Sequence, residues 1–254
     1  MNTAVPLDQH NEEIHSNLKY WEGKPILQRI YHSYFELIAS YLPKNITGHI
    51  LELGSGIGNI KSVIKDCIRT DLFPNPWIDR IENSYALTLK DNSASCLILF
   101  DVFHHLQYPG TALNELHRAL KPGGRVIIFD PFIGFLGLVV YGIFHHEPIA
   151  LNKQIVWTAP SSWSVSDDTY YAAQGNATRV FSSEDQKFRE LIEKDWKVIE
   201  VKKMSEITYV LSGGYSKPQM FPDFMYGFLK IVDKFLSFSP SIFGTRILVV
   251  LEKK

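Results

Sequence analysis

Three glycines in five residues, Gly54, Gly56 and Gly58, directly follow the apolar run 49–53, and Asp71 closes the next apolar run. Without a Cβ, backbone can pass close to a ligand and adopt the torsions of a tight turn. A carboxylate at the end of the neighbouring strand can accept hydrogen bonds from both hydroxyls of a ribose. Together they describe a loop for a cofactor with an adenosine half, laid across the carboxyl ends of parallel strands. The GxGxG spacing differs from the GxGxxG of dinucleotide binding. A pyrophosphate would want free amides at a helix start and often a nearby cation. Here Glu52 precedes the loop and Asp101 ends a later strand, an acidic setting that suits a sulfonium and an α-amino group better.

Two histidine pairs offer acid–base chemistry near neutral pH, His104-His105 and His145-His146, the second followed by Glu147. His105, His145, His146 and Glu147 are the catalytic candidates, each weighed against simple packing or loop ordering. No HxxxH or CxxC spacing accompanies them, so no metal site is expected. Tyr20 and Lys24, with Trp21 between them, precede the helix that starts at Pro25 and are candidates to close over the cofactor, set against ordinary packing of amphipathic side chains.

These groups need a scaffold, and the hydrophobic pattern supplies one. Ile26, Leu27, Ile30, Tyr31, Tyr34, Leu37, Ile38, Tyr41 and Leu42 recur at helical spacing between Pro25 and Pro43. Strands are expected at 49–53, 66–72 and 78–82, a short helix at 57–65, and a fully buried strand at 96–100. Ala112, Leu113, Leu116, Ala119 and Leu120 mark a helix face before the turn Lys121-Pro122-Gly123-Gly124, and 125–129 is the next strand. Strands separated by helices imply right-handed crossovers and an α/β, doubly wound, mostly parallel sheet. Residues 132–182 break the rhythm and form an insertion after the fifth strand, too long for an ordinary connection. Order returns with a helix at 183–194, a strand at 196–201, the run 207–211 and a closing strand at 245–251.

At this point the chain resembles the class I, Rossmann-like S-adenosylmethionine-dependent methyltransferases of the type-11 small-molecule kind. The run Glu52-Leu53-Gly54-Ser55-Gly56-Ile57-Gly58 is similar to their first motif, Asp71 to their ribose-binding acid, and 97–106 to their fourth strand and following loop. The segment 115–124 resembles the helix and turn before their fifth strand. The resemblance covers 50–131 and implies a seven-stranded sheet with an antiparallel last strand and helices on both faces. It implies S-adenosyl-L-methionine as cofactor, held by Glu52, Gly54, Ser55, Gly56, Gly58, Asn59, Asp71 and Leu72. Asn83 or Ser84 would then lie by the adenine, and Phe100 or Asp101 by the methionine end. The family's usual aspartate and alanine near Asn83 are absent. The whole chain, 1–254, is then one domain, with a helical cap at 1–45, a cofactor half at 46–131, the substrate-site insertion at 132–182 and a carboxyl-terminal half at 183–254.

Composition narrows the partner. With 26 basic and 27 acidic residues the formal net charge is -1, and no long run of one sign offers a footprint for nucleic acid. The longest apolar run, 132–144, is shorter than the roughly 20 residues a membrane-spanning helix needs. The polar start lacks a secretory pattern, which points to the cytoplasm, and Cys67 and Cys96 are expected as buried thiols. A small-molecule acceptor is expected, with Phe132, Phe135, Tyr141, Met220 and Phe221 suggesting an aromatic or lipid-like one. Against that, Phe224, Phe228, Ile231 and Phe235 have the spacing of a helix facing the core. Rival readings are a nicotinamide-dependent oxidoreductase or epimerase, which lacks the dinucleotide spacing, and a non-catalytic binding protein.

Overall fold

The computed structural model describes residues 7–145, 147–168, 171–182 and 186–254. Seven strands form one sheet: β1 His49–Leu53, β2 Ile68–Asp71, β3 Arg80–Ile81, β4 Ala94–Phe100, β5 Leu120–Pro131, β6 Trp196–Met204 and β7 Arg246–Lys253. Their order is β3-β2-β1-β4-β5-β7-β6, and β7 runs antiparallel to both neighbours. The chain winds outward from β1 through β2 and β3, then restarts on the other side of β1 with β4. That reversal opens a crevice at the carboxyl ends of β1 and β4, where ligands bind in open α/β sheets.

Alternation along each strand builds two cores. Leu97, Leu99, Val126, Ile128, Val249 and Leu251 face one layer of helices, namely α3 (Pro109–Ala119), α5 (Asn176–Phe181) and α6 (Gln186–Glu193). Cys96, Ile98, Phe100, Ile127, Phe129, Leu248 and Val250 face the other, built around α2 (Pro25–Ser40). Pro25 sits in the first turn of α2, where its missing N–H costs nothing. The helix buries Ile26, Leu27, Ile30, Tyr31, Tyr34, Phe35 and Ile38. Cys67 and Cys96 are buried free thiols.

The elements depart from the sequence expectations in four places. Residues 57–65 hold a single 3-10 turn, Asn59–Ser62, because left-handed glycines occupy the approach and β2 must begin at Ile68. Tyr20 does not precede the first helix: it lies within α1 (Leu7–Gly23), whose polar sequence carries little apolar periodicity to announce it. The strand-like run 207–211 is a helix, α7 (Ile207–Leu211), while the insertion, for which no element is expected, opens with α4 (Phe135–Val139) running into a π-helical turn, Val140–Phe144.

The fourth departure is the largest. Phe224, Phe228, Ile231 and Phe235 are 85%, 60%, 69% and 73% exposed, so the core-facing reading of that stripe is wrong. On α8 (Tyr226–Leu236) the inward positions are Leu229 and Asp233, and the Asp233 carboxylate accepts from the Thr208 hydroxyl of α7. Three-to-four spacing marks a face, and tertiary contacts decide which way it points. Among the described residues no helix is long and apolar enough to cross a membrane.

Candidate active site

The glycine loop leaves β1 with Gly54, Gly56 and Gly58 all at positive φ, 70°, 51° and 69°. A Cβ on Gly54 would overlap Cγ2 of Val102, in the turn that follows β4, so this glycine lets two loops touch. A Cβ on Gly56 would meet nothing within 4 Å, which leaves open space where a ligand must pass. The loop is tied to β2: the Ser55 amide donates to Thr70 O at 2.7 Å, and the Thr70 amide donates to Ser55 Oγ at 3.1 Å.

Asp71 ends β2 against the same loop. Its carboxylate accepts from the Gly56 amide at 2.9 Å and from the Leu72 amide at 2.7 Å. A carboxylate oxygen can accept more than one hydrogen bond, as sharing with a ribose hydroxyl would require. Glu52 is buried behind the loop; burial, then the Asp71 charge, pushes its carboxyl up to about 8, and its Oε2 has no hydrogen-bond partner. Asn59 opens the 3-10 turn and meets the Tyr215 hydroxyl.

Other expected contacts fall elsewhere. Lys24 Nζ donates to the carbonyls of Ser212, Gly214 and Lys217, while the Tyr20 hydroxyl donates to Ser216 O at 3.3 Å. Both clasp the 212–217 turn, and it is Tyr215 of that turn that reaches the glycine loop. Phe100 turns its ring into the α2 core, stacked 5.0 Å from Phe129 and 5.3 Å from Tyr31. Asn83 forms a local turn, accepting from the Tyr85 amide at 2.8 Å, and its side-chain amide lies 3.5 Å from Asp168; Ser84 is half-buried beside it.

Asp101 follows β4 at φ 55° and is ion-paired to Arg246 of β7. Arg246 is 3% exposed, its guanidinium 4.9 Å from the Tyr209 ring and 5.6 Å from Phe129. Next comes the turn Phe103–His105. His104 Nδ1 is 3.0 Å from Asp130 Oδ1, and its Nε2 is 3.5 Å from Glu147 Oε2. His105 Nε2 is 3.7 Å from Glu147 Oε1, and its Nδ1 is 2.9 Å from Tyr171 O. His145 Nδ1 lies 3.8 Å from Glu147 Oε2, and Gln174 donates to that same oxygen. His146 lies outside the described residues.

Burial alone would lower both imidazoles. For His104 the two carboxylates, Asp130 before Glu147, overcome it and raise the pKa to about 10. For His105 burial and then the neighbouring His104 push it down to about 4. His105 sits deep in the protein, yet 32% of its side chain is accessible, so the ring keeps an open edge. The sequence singled out His105, His145 and Glu147, and the fold brings all three together. It noted His104 only as the neighbour of His105 and missed Asp130, Gln174 and Arg246. For these three no spacing signal exists, since they come from three separate stretches of chain.

The comparisons agree with this architecture. Residues 51–128 match the family model for a methyltransferase domain. A probable polyketide synthase of Dictyostelium discoideum is 25% identical over 79 residues, 30% of this chain and 3% of that protein's length. A possible histamine N-methyltransferase of Thermotoga maritima superposes with a TM-score of 0.52 at 16% identity, over 95% of this chain and 99% of its own. An S-adenosylmethionine-dependent methyltransferase of Archaeoglobus fulgidus gives 0.52 at 10% identity, over 89% and 94%. At such identities the superpositions show the shared fold. With the strand order and the glycine loop, they give the chain the fold of the class I, Rossmann-like S-adenosylmethionine-dependent methyltransferases, with a methyltransferase-domain match over residues 51–128. S-adenosylmethionine is the cofactor of that class, and the site fits it: Gly56 borders open space, the Asp71 carboxylate ends β2 against the loop, and the surroundings are acidic.

Proposed function

We propose that this chain methylates a hydroxyl or amine of a small-molecule acceptor held at the crevice between β1 and β4. The observation that carries the reading is the joining of two loops at Gly54 and Val102: the cofactor loop touches the turn that bears His104 and His105. Gly54–Gly58 and Asp71 would hold S-adenosylmethionine, which would supply an electrophilic methyl to the acceptor's lone pair, with the C–S bonding pair left on sulfur.

The protein's own part is alignment, exclusion of water and handling of one proton. The insertion 132–182 delivers Glu147, Tyr171 and Gln174 beside the β4 turn and forms the acceptor's side of the site. His105, neutral at physiological pH, presents its open edge and takes the acceptor's proton, with the Glu147 carboxylate facing the resulting imidazolium. Arg246 fixes Asp101, which keeps the start of the turn in place. The aromatic residues of the insertion support an aromatic or lipid-like acceptor, and the absence of a basic footprint supports a small molecule over nucleic acid. The cytoplasm is the proposed location.

Labelled S-adenosylmethionine incubated with the protein and fractionated metabolite extracts tests this. The expected result is label in a low-molecular-weight product, lost in Glu147→Gln. Binding of NAD without binding of S-adenosylhomocysteine would overturn it.

A further inference from the structure

We propose that His104, His105 and Glu147 form a binding site for a divalent transition-metal ion of the zinc type. One ligand atom from each lies within 4.8 Å of the other two. The nitrogen–oxygen separations, 3.5 Å and 3.7 Å, exceed the roughly 2.7–3.2 Å of an N–H···O hydrogen bond. They run to the two different oxygens of Glu147, Oε2 and Oε1, and each is close to the spacing of neighbouring ligands on one tetrahedral ion, about 3.3 Å for bonds of about 2.0–2.1 Å, so a turn of the carboxylate would offer one oxygen to the ion.

The surroundings of both imidazoles point the same way. A backbone carbonyl only accepts, so His105 Nδ1 at 2.9 Å from Tyr171 O carries its ring hydrogen, and Nε2 presents a lone pair. Asp130, 3.0 Å from Nδ1, orients the His104 ring in the same way, and Nε2 of His104 would release its proton as the ion binds. This is the arrangement of metal-binding histidines, in which a carboxylate or carbonyl fixes the tautomer and turns the other nitrogen to the ion. Gln174 in turn holds the Glu147 carboxylate through Oε2.

A second grouping, Asp101 with His104 and Asp130, is a poorer cage. Asp101 is ion-paired with Arg246, and Asp130 already faces the His104 nitrogen such a cage would use. The His104–His105–Glu147 corner is tied to both sides of the crevice: the Ala173 amide donates to His104 O at 3.0 Å, and the Gln174 amide to Pro148 O at 3.1 Å. Three protein ligands leave a fourth position for an exogenous group. Resting on the methyl-transfer reading, that position is where an acceptor hydroxyl would coordinate and acidify, the ion then replacing His105 as the group that eases loss of the proton; the site itself stands without it.

The test uses the full chain with no cofactor or acceptor added, so its outcome is separate from activity. Chelator-treated protein is titrated with Zn2+ by calorimetry and, in parallel, with Co2+ by absorption. The expected result is one ion per chain with the intense visible bands of a tetrahedral cobalt site. Affinity should drop at least about tenfold in His105→Ala and Glu147→Gln, and by about 10- to 100-fold in Asp130→Asn, with His49→Ala unchanged. No stoichiometric binding to the wild-type chain would overturn the proposal, and so would wild-type affinity in both His105→Ala and Glu147→Gln. Methyl transfer by a protein that binds no metal would leave His105 as the base and refute only the ion.

Discussion

Val102 fills the space that a side chain on Gly54 would need, and this one contact couples the cofactor loop to the histidine turn. Gly54→Ala adds both that overlap and a left-handed backbone penalty, so it should destabilise the fold by about 2–4 kcal/mol. Val102→Ala on that background should recover the overlap part. Gly56→Ala meets no neighbour, so its folding cost should stay near the backbone penalty alone, about 1–2 kcal/mol, while cofactor affinity falls sharply. Denaturant midpoints read the first comparison and S-adenosylhomocysteine calorimetry the second.

Asp71 should contribute both to the loop, through Gly56 and Leu72, and to the ribose. Asp71→Ala is expected to weaken S-adenosylhomocysteine binding by about 1–3 kcal/mol. Unchanged calorimetric affinity would remove the residue from the site.

Glu52 gives the fold a pH dependence. Its folded pKa is raised, so its favourable contribution is complete below the unfolded value of 4.5 and is lost as pH rises through about 8. Glu52→Gln, which mimics the protonated form, should flatten that slope, a difference on the order of 3 kcal/mol between pH 5 and 8. Urea melts of both proteins at pH 5.5 and 8.5 would show it; parallel slopes would mean that Glu52 ionises without penalty.

Asp130 and His104 should respond unequally to substitution. His104→Ala leaves the fully buried Asp130 carboxylate without its partner, which typically costs about 3–5 kcal/mol. Asp130→Asn keeps an acceptor for Nδ1, and His104, no longer held charged, can release its proton, so the loss should be smaller than in His104→Ala. Chelator-containing buffer isolates these effects from any metal, and equal losses in the two variants would contradict the pairing.

Phe228 and Phe235 lie on the exposed face of α8, so Phe228→Ser and Phe235→Ser should each change stability by less than about 0.5 kcal/mol. A core position would lose about 3–5 kcal/mol on truncation. Chemical denaturation separates the two outcomes.

The sequence by itself determined the sheet and the cofactor loop. Leu97, Ile98 and Leu99 read as a strand buried on both faces, and three glycines between an apolar run and Asp71 read as a close-approach loop. Such signals are local, because backbone torsions and alternating burial are imposed on neighbouring residues. Tertiary structure alone decided the rest. Neither the side of α8 that meets solvent nor the meeting of His104, Asp130 and Glu147 leaves a local trace, for these depend on how distant segments pack. The metal-like corner is the clearest case: adjacent histidines carry no ligand spacing, and Glu147 completes the set only because the insertion folds back over the end of β4.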